Sequence, residues 1–211
     1  MTSAPRRRNQ RGQGALLREE ILDAAIRVID RSQAESEVSL RSIAREAGVT
    51  TMALYGHFAD RDDLLVAVAV RGWGQVCADI IAQVRLGDSP RSRVMLGCQA
   101  YVSFAQRFPL RYAIMTQVED IPPAAKKSLE VMTRGLLSCG GVDPALLLSI
   151  GIEKTAAALS VALHGVAMLH RTDTPHLWMH EFTTNEIIGS LVDAAVLQIE
   201  QVASEALGRP V

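Results

Sequence analysis

Residues 39–58 read Ser39-Leu40-Arg41-Ser42-Ile43-Ala44-Arg45-Glu46-Ala47-Gly48-Val49-Thr50-Thr51-Met52-Ala53-Leu54-Tyr55-Gly56-His57-Phe58. Ser39 is a good N-cap, because its hydroxyl accepts from the free amides of a first helical turn. Leu40, Ile43, Ala44 and Ala47 then give a two-turn helix one apolar face. Gly48 follows where the chain must turn sharply, and glycine takes positive φ without steric cost. Val49 plugs the corner. Thr50 caps a second helix whose Leu54 and Phe58 point back to a core. Small Ala44, a glycine four residues later and an aliphatic residue six after that are the steric signature of a helix-turn-helix.

The second helix of this pair is too short and too polar to be explained by burial alone. Its outer face carries Thr50, Thr51, Met52, Tyr55 and His57. In a helix-turn-helix the first residues of the second helix meet base edges in the major groove. Thr51 suits a hydrogen bond to a base edge, and Met52 or the Thr51 methyl suits contact with a thymine methyl. Tyr55 and His57 suit phosphate oxygens. Asp60 caps the long helix that follows, Asp62 and Asp63 sit at its positive end, and Arg61 in the same turn reaches toward phosphate. Double-stranded DNA is the expected partner.

Outward from this stretch the pattern stays helical. Leu17, Ile21, Ala24 and Val28 make one face over 15–32, widened by Leu22, Ile26 and Ile29. An apolar run over 61–87 ends at Asp88-Ser89-Pro90. Further helices are expected at 91–107, 109–116, 124–139 (closed by Gly140-Gly141), 143–170 (with Asp143 as N-cap and Pro144 in its first turn) and 178–206. No segment alternates as a half-buried strand does, so the chain reads as all-α with about nine helices.

The chain has 211 residues, of which 48% are hydrophobic and 21% charged, a globular composition for one or two domains. Cys77, Cys98 and Cys139 are widely spaced and form no Cys-x-x-Cys pair, which argues against a zinc ribbon or a disulfide scaffold. No uninterrupted apolar run reaches the length of a membrane span, and no apolar stretch follows the Arg-rich N-terminus as in a secretory signal. The expectation is a cytoplasmic protein with no membrane partner. The net charge of −1 hides an asymmetry: residues 1–18 hold Arg6, Arg7, Arg8, Arg11 and Arg18 and no acid, whereas the remainder is acidic. A basic arm on an acidic body suits a polyanionic partner.

The motif Ile43-Ala44-x-x-Ala47-Gly48-Val49, followed by Ala53-Leu54-Tyr55-x-His57-Phe58 and Asp62-x-Leu64-Leu65, resembles the DNA-binding domain of TetR-type transcriptional regulators. A weaker resemblance, to the C-terminal ligand-binding domain called WHG, rests on Ala100-Tyr101-Val102-x-Phe104-Ala105-x-x-x-Phe108-Pro109-x-x-Tyr112 and Ala162-Leu163-His164-Gly165-Val166. There Leu163 stands in place of the signature tryptophan. The resemblance implies a disordered basic arm over 1–14, a helix-turn-helix domain over 15–62 and a helical ligand-binding and dimerisation domain over 63–211. It also implies a homodimeric repressor released from a palindromic operator by a small-molecule effector, and it adds Ser39 and Arg41 to the DNA-facing set of Thr50, Thr51, Met52, Tyr55, His57 and Arg61.

Ile188, Val192, Ala195, Ile199 and Val202 repeat at steps of four and three, a seam suited to helix packing. With Ala157 and Val161 they are the expected dimer interface, two helices from each subunit. Met95, Gln99, Tyr101, Phe104, Tyr112, Met115, Met132, His164 and Met168 are the expected pocket lining, since methionine adapts to varied apolar ligands. His164, His170, His176 and His180 are read as structural or exposed, with no metal and no cofactor expected. The chain has no nucleophile-elbow, phosphate-loop or dinucleotide motif, so no catalytic residue is expected. The competing reading is a helical small-molecule binder or enzyme with no role on DNA.

Overall fold

The computed structural model describes residues 14–118, 122–143, 145, 152–169 and 181–208. The Arg6–Arg11 arm and His170, His176 and His180 lie outside the described residues. Among these residues are nine α-helices: α1 (Gly14–Arg31), α2 (Leu40–Ala47), α3 (Thr51–Tyr55), α4 (Arg61–Val84), α5 (Pro90–Arg107), α6 (Pro109–Gln117), α7 (Pro123–Leu137), α8 (Glu153–Leu169) and α9 (Thr184–Ala206). The described residues contain no strand.

Local chemistry explains most helix ends. Pro90 and Pro109 open α5 and α6, where a missing N–H costs nothing. Ser89, expected only to end the preceding helix, caps α5 by accepting from Ser92 N–H at 3.2 Å. α9 starts at Thr184 rather than at 178. Thr183 and Glu186 form a reciprocal capping box there, and the Thr183 N–H and hydroxyl, each donating to Glu186 Oε2 at 2.7 Å, hold that carboxyl below its ordinary range. Of the helix expected over 143–170, Glu153–Leu169 is described as α8. Asp143 accepts from Ala145 N–H at 2.8 Å, as a cap does, while 144 and 146–151 lie outside the described residues.

The chain divides into two compact units, one of residues up to Gly72 together with Phe108–Glu119, the other of Trp73–Arg107 with the rest. This differs from the boundary expected at 62/63. The first core takes Leu64, Leu65 and Val68 from α4 and Leu110 and Ile114 from α6, beside Ile21, Ile29, Ile43, Leu54 and Phe58. Sequence proximity therefore assigns α6 to the wrong unit, because its apolar face has a better partner in the first core. The second core joins Val94, Cys98 and Val102 of α5 with Met132 and Leu136 of α7, Ala156, Leu159 and Leu163 of α8, and Ile188, Val192, Val196 and Ile199 of α9. Burial pushes the Cys98 thiol up to about 12, so it behaves as an apolar side chain.

α4 and α9 each contain an 18-residue window as apolar as a membrane span. The absence of an uninterrupted apolar run hides this, since Arg71 and Asp79 interrupt one helix and Asp193 and Glu200 the other. Part of each window is buried, in Val68, Val76 and Ile80 and in Ile188, Val192 and Ile199 respectively.

Candidate nucleic-acid interface

The corner between α2 and α3 is built as the sequence leads one to expect. Ser39 and Ser42 cap α2 reciprocally: Ser39 Oγ accepts from Ser42 N–H and Ser42 Oγ from Ser39 N–H, each at 3.1 Å. Gly48 ends the helix in the left-handed region at φ 67°. Val49 N–H reaches Ala44 C=O at 2.9 Å and Gly48 N–H reaches Arg45 C=O at 3.2 Å, the paired bonds of a Schellman stop. Thr50 Oγ1 accepts from Ala53 N–H at 3.1 Å and starts α3. Leu54 and Phe58 are fully buried and share the first core with Ile43 and Ala44.

Burial on one side leaves a defined set on the other. Met52 is 80% exposed and Tyr55 50% exposed, large values for apolar and aromatic side chains. Ser39, Arg41 and Thr50 are exposed, and Thr51 and His57 are half-buried. The His57 ring lies near Gly14 at the start of α1. Arg61 is already engaged: its Nη2 donates to Glu35 Oε1 at 2.8 Å and its Nε to Val38 C=O at 3.4 Å. A contact spanning 26 positions leaves no local pattern, so nothing in the sequence around Glu35 marks it.

Ion pairs brace the surroundings. Glu46 of α2 accepts from Arg27 at 2.9 Å and Arg31 at 2.6 Å on α1, and these bonds hold its carboxyl below the usual range. Arg71 of α4 pairs with Glu19 and Asp23 of α1. Arg111 of α6 is only 3% exposed, lies over the Phe108 ring, and has its Nε 3.1 Å from Asp30 Oδ1. Burial raises the Asp30 carboxyl, and the Arg111 charge opposes the rise.

The expected pocket lining is divided between the two units. Tyr112 and Met115 belong to the first unit, whereas Met95, Gln99, Tyr101, Phe104, Met132, His164 and Met168 belong to the second. Phe104 is fully buried and Met132 nearly so; Met95 and Tyr101 pack at the edge of the second core, and Tyr101 faces Trp73 at 6.4 Å between ring centroids. Two open clefts in the second unit lie along α5. One, of about 360 Å³, is lined by Asp79, Gln83, Gln99, Ser103 and Arg107 among others; the other, of about 500 Å³, by Gln99, Ser103, Gln106, Thr184 and Asn185 among others. Gln99 alone of the expected lining borders either, and both are polar where an apolar chamber was expected.

The expected dimer seam also needs correction. Ile188, Val192, Ala195 and Ile199 are buried in the protomer's own second core, and Val202 is half-buried. A repeat of three and four marks a packed face without saying whether the partner is another helix of the same chain. Ala157 and Val161 are exposed, Val161 at 71%, and so is Leu197 of α9 at 64%. Among the described residues no group of three His, Cys, Asp or Glu is placed to hold a metal ion.

Residues 21–68 match the family of bacterial regulatory proteins, tetR family. The chain is 29% identical over 187 residues to an uncharacterized HTH-type transcriptional regulator of Mycobacterium tuberculosis, spanning 84% of this chain and 78% of that protein. A solved structure of a protein with unknown function from Rhodococcus sp. RHA1 is similar with a TM-score of 0.69 at 22% identity, covering 93% of this chain and 98% of that one. The TetR family transcriptional regulator PfmR from Thermus thermophilus is similar with a TM-score of 0.57 at 14% identity, covering 84% and 97%. At such identities the structural likeness speaks for the fold. The family match makes residues 21–68, which hold the helix-turn-helix, a TetR-type DNA-binding domain, and the curated relatives support a transcriptional regulator. Its relatives are regulators and not enzymes.

Proposed function

We propose that the protein is a cytoplasmic repressor that sits as a homodimer on a palindromic operator and leaves it when a small apolar effector binds the second unit. The observation that carries the DNA-binding surface is the outer row of α3. Met52 and Tyr55 project from a helix whose other side, through Leu54, is locked into the first core. Thr51 and Met52 read base edges, and Ser39, Arg41, Thr50, Tyr55 and His57 hold the phosphates on either side. Arg61 joins them only by leaving Glu35.

Dimerisation uses the outer faces of α8 and α9, where Ala157, Val161 and Leu197 are exposed, in place of the buried seam. The effector meets the second unit near Met95, Tyr101, Met132, His164 and Met168. It acts as an inducer only by binding the DNA-incompetent state more tightly, since equal affinity for both states shifts nothing. The test is gel retardation on the DNA upstream of its own gene over a salt series. Retention that weakens steeply with salt is expected. No retained DNA even at low salt would remove the reading and leave a helical small-molecule binder.

A further inference from the structure

The described residues of the first unit contain eight cationic side chains, all arginine: Arg18, Arg27, Arg31, Arg41, Arg45, Arg61, Arg71 and Arg111. Six are occupied within the protein. Arg27 and Arg31 hold Glu46, Arg61 holds Glu35, Arg71 holds Glu19 and Asp23, and Arg111 lies beside Asp30. Arg18 lies with its guanidinium 4.6 Å from the centre of the Phe58 ring. Arg41 and Arg45 are both exposed and have no such partner among the described residues.

These two arginines stand four apart on α2, so they share one helix face with about 6 Å of axial rise between them. Like charges at that spacing disfavour a helix. α2 has only eight residues to bear the cost, and its one acid, Glu46, is turned to Arg27 and Arg31. Arg45 stands in the last turn, where the helix dipole favours a cation, but the pair has no carboxylate partner among the described residues, and such a pair is expected where a ligand supplies the counter-charge. A DNA strand offers one negative charge about every 3.4 Å of axis, so two phosphates of one strand lie within reach of the pair.

We infer that Arg45, together with Arg41, forms a two-guanidinium row on α2 that binds the phosphate backbone, and that Arg45 is a DNA-contacting residue in its own right. The inference rests on the DNA-binding reading above and adds to it a phosphate contact outside the α3 face. Arg45 is a backbone contact with no part in base choice.

The experiment uses the full chain and a short mixed-sequence duplex, measuring affinity by fluorescence anisotropy over a salt series for the wild type, Arg41→Gln, Arg45→Gln, Arg45→Lys and Lys126→Gln on α7. Arg45→Gln is expected to flatten the slope of log affinity against log salt by about 0.9 per bound protomer. Arg45→Lys should keep the wild-type slope, and Lys126→Gln should change nothing. Melting followed by circular dichroism should place the Arg45→Gln transition with the wild type or above it, which a purely structural role does not predict. If Arg41→Gln flattens the slope and Arg45→Gln does not, the inference on Arg45 is overturned while the DNA-binding reading stands. An equal loss of affinity at every salt concentration for Arg45→Gln also overturns it. If the wild type fails to bind the duplex at low salt, it is the DNA-binding reading that falls.

Discussion

At Gly48 the backbone holds φ 67°, and a Cβ added there would meet nothing within 4 Å. The penalty for a side chain is therefore conformational. Gly48→Ala should lower stability by about 1 kcal/mol, seen as a shifted urea midpoint, and Gly48→Asn by less, since Asn enters this region more readily. At the surface of α3 the roles divide. Tyr55→Phe and His57→Ala should weaken binding about evenly on operator and random DNA, whereas Thr51→Ala should lose preference for the operator. A competition assay with random duplex separates the two, and equal loss on both DNAs for Thr51→Ala would reject its base-reading role. These positions were legible in the sequence because capping, turning and exposure in a helix-turn-helix are set within a short stretch of chain. The engagement of Arg61 by Glu35 was not, as neither residue carries a local mark of the other.

Among elements, the clamp of Arg27 and Arg31 on Glu46 ties α1 to α2. Its carboxyl titrates below the ordinary value, so the folded state favours the charged form. That contribution is fully present above the unfolded-state pKa, about 4.3, and is lost as pH falls through the lowered folded value. Glu46→Gln should cost about 0.5 kcal/mol at neutral pH, in the range of exposed pairs, and nothing in acid. Urea midpoints at the two pH values check this, and a gap that persists in acid would assign the loss to packing. α6 shows a different dependence. Met115 lies against the backbone of Gly72 so closely that a Cβ there would collide with the sulfur. Gly72→Ala should cost about 1 kcal/mol, the low end for overpacking because a methionine yields. Helix periods foretell α6 itself; which core it enters depends on contacts with elements far away in the chain.

For the molecule as a whole, the seam of α9 and the outer faces of α8 and α9 answer to different measurements. Ile199→Ala empties part of the second core and should cost about 3 kcal/mol of stability, with the association state unchanged in folded protein. Val161→Glu or Leu197→Glu should leave the protomer folded and shift sedimentation from dimer to monomer, because a charge facing a second copy is desolvated on association. If both glutamate variants sediment as the wild type does, the proposed dimer faces are wrong. The division into two units follows the same distinction between a face being apolar and a face having a particular partner.

By itself the sequence determined the helical class, the helix-turn-helix and the residues on its outer side, because those depend on capping, glycine geometry and periodicity within a few turns. Only the tertiary structure decided that α6 belongs to the first core, that Glu35 holds Arg61, that the repeat along α9 is spent inside the protomer, and that the expected pocket residues are divided between two units. Each of these is a choice among apolar faces or charges far apart in the chain. Periodicity records that a face must be covered, and shape and volume alone select what covers it.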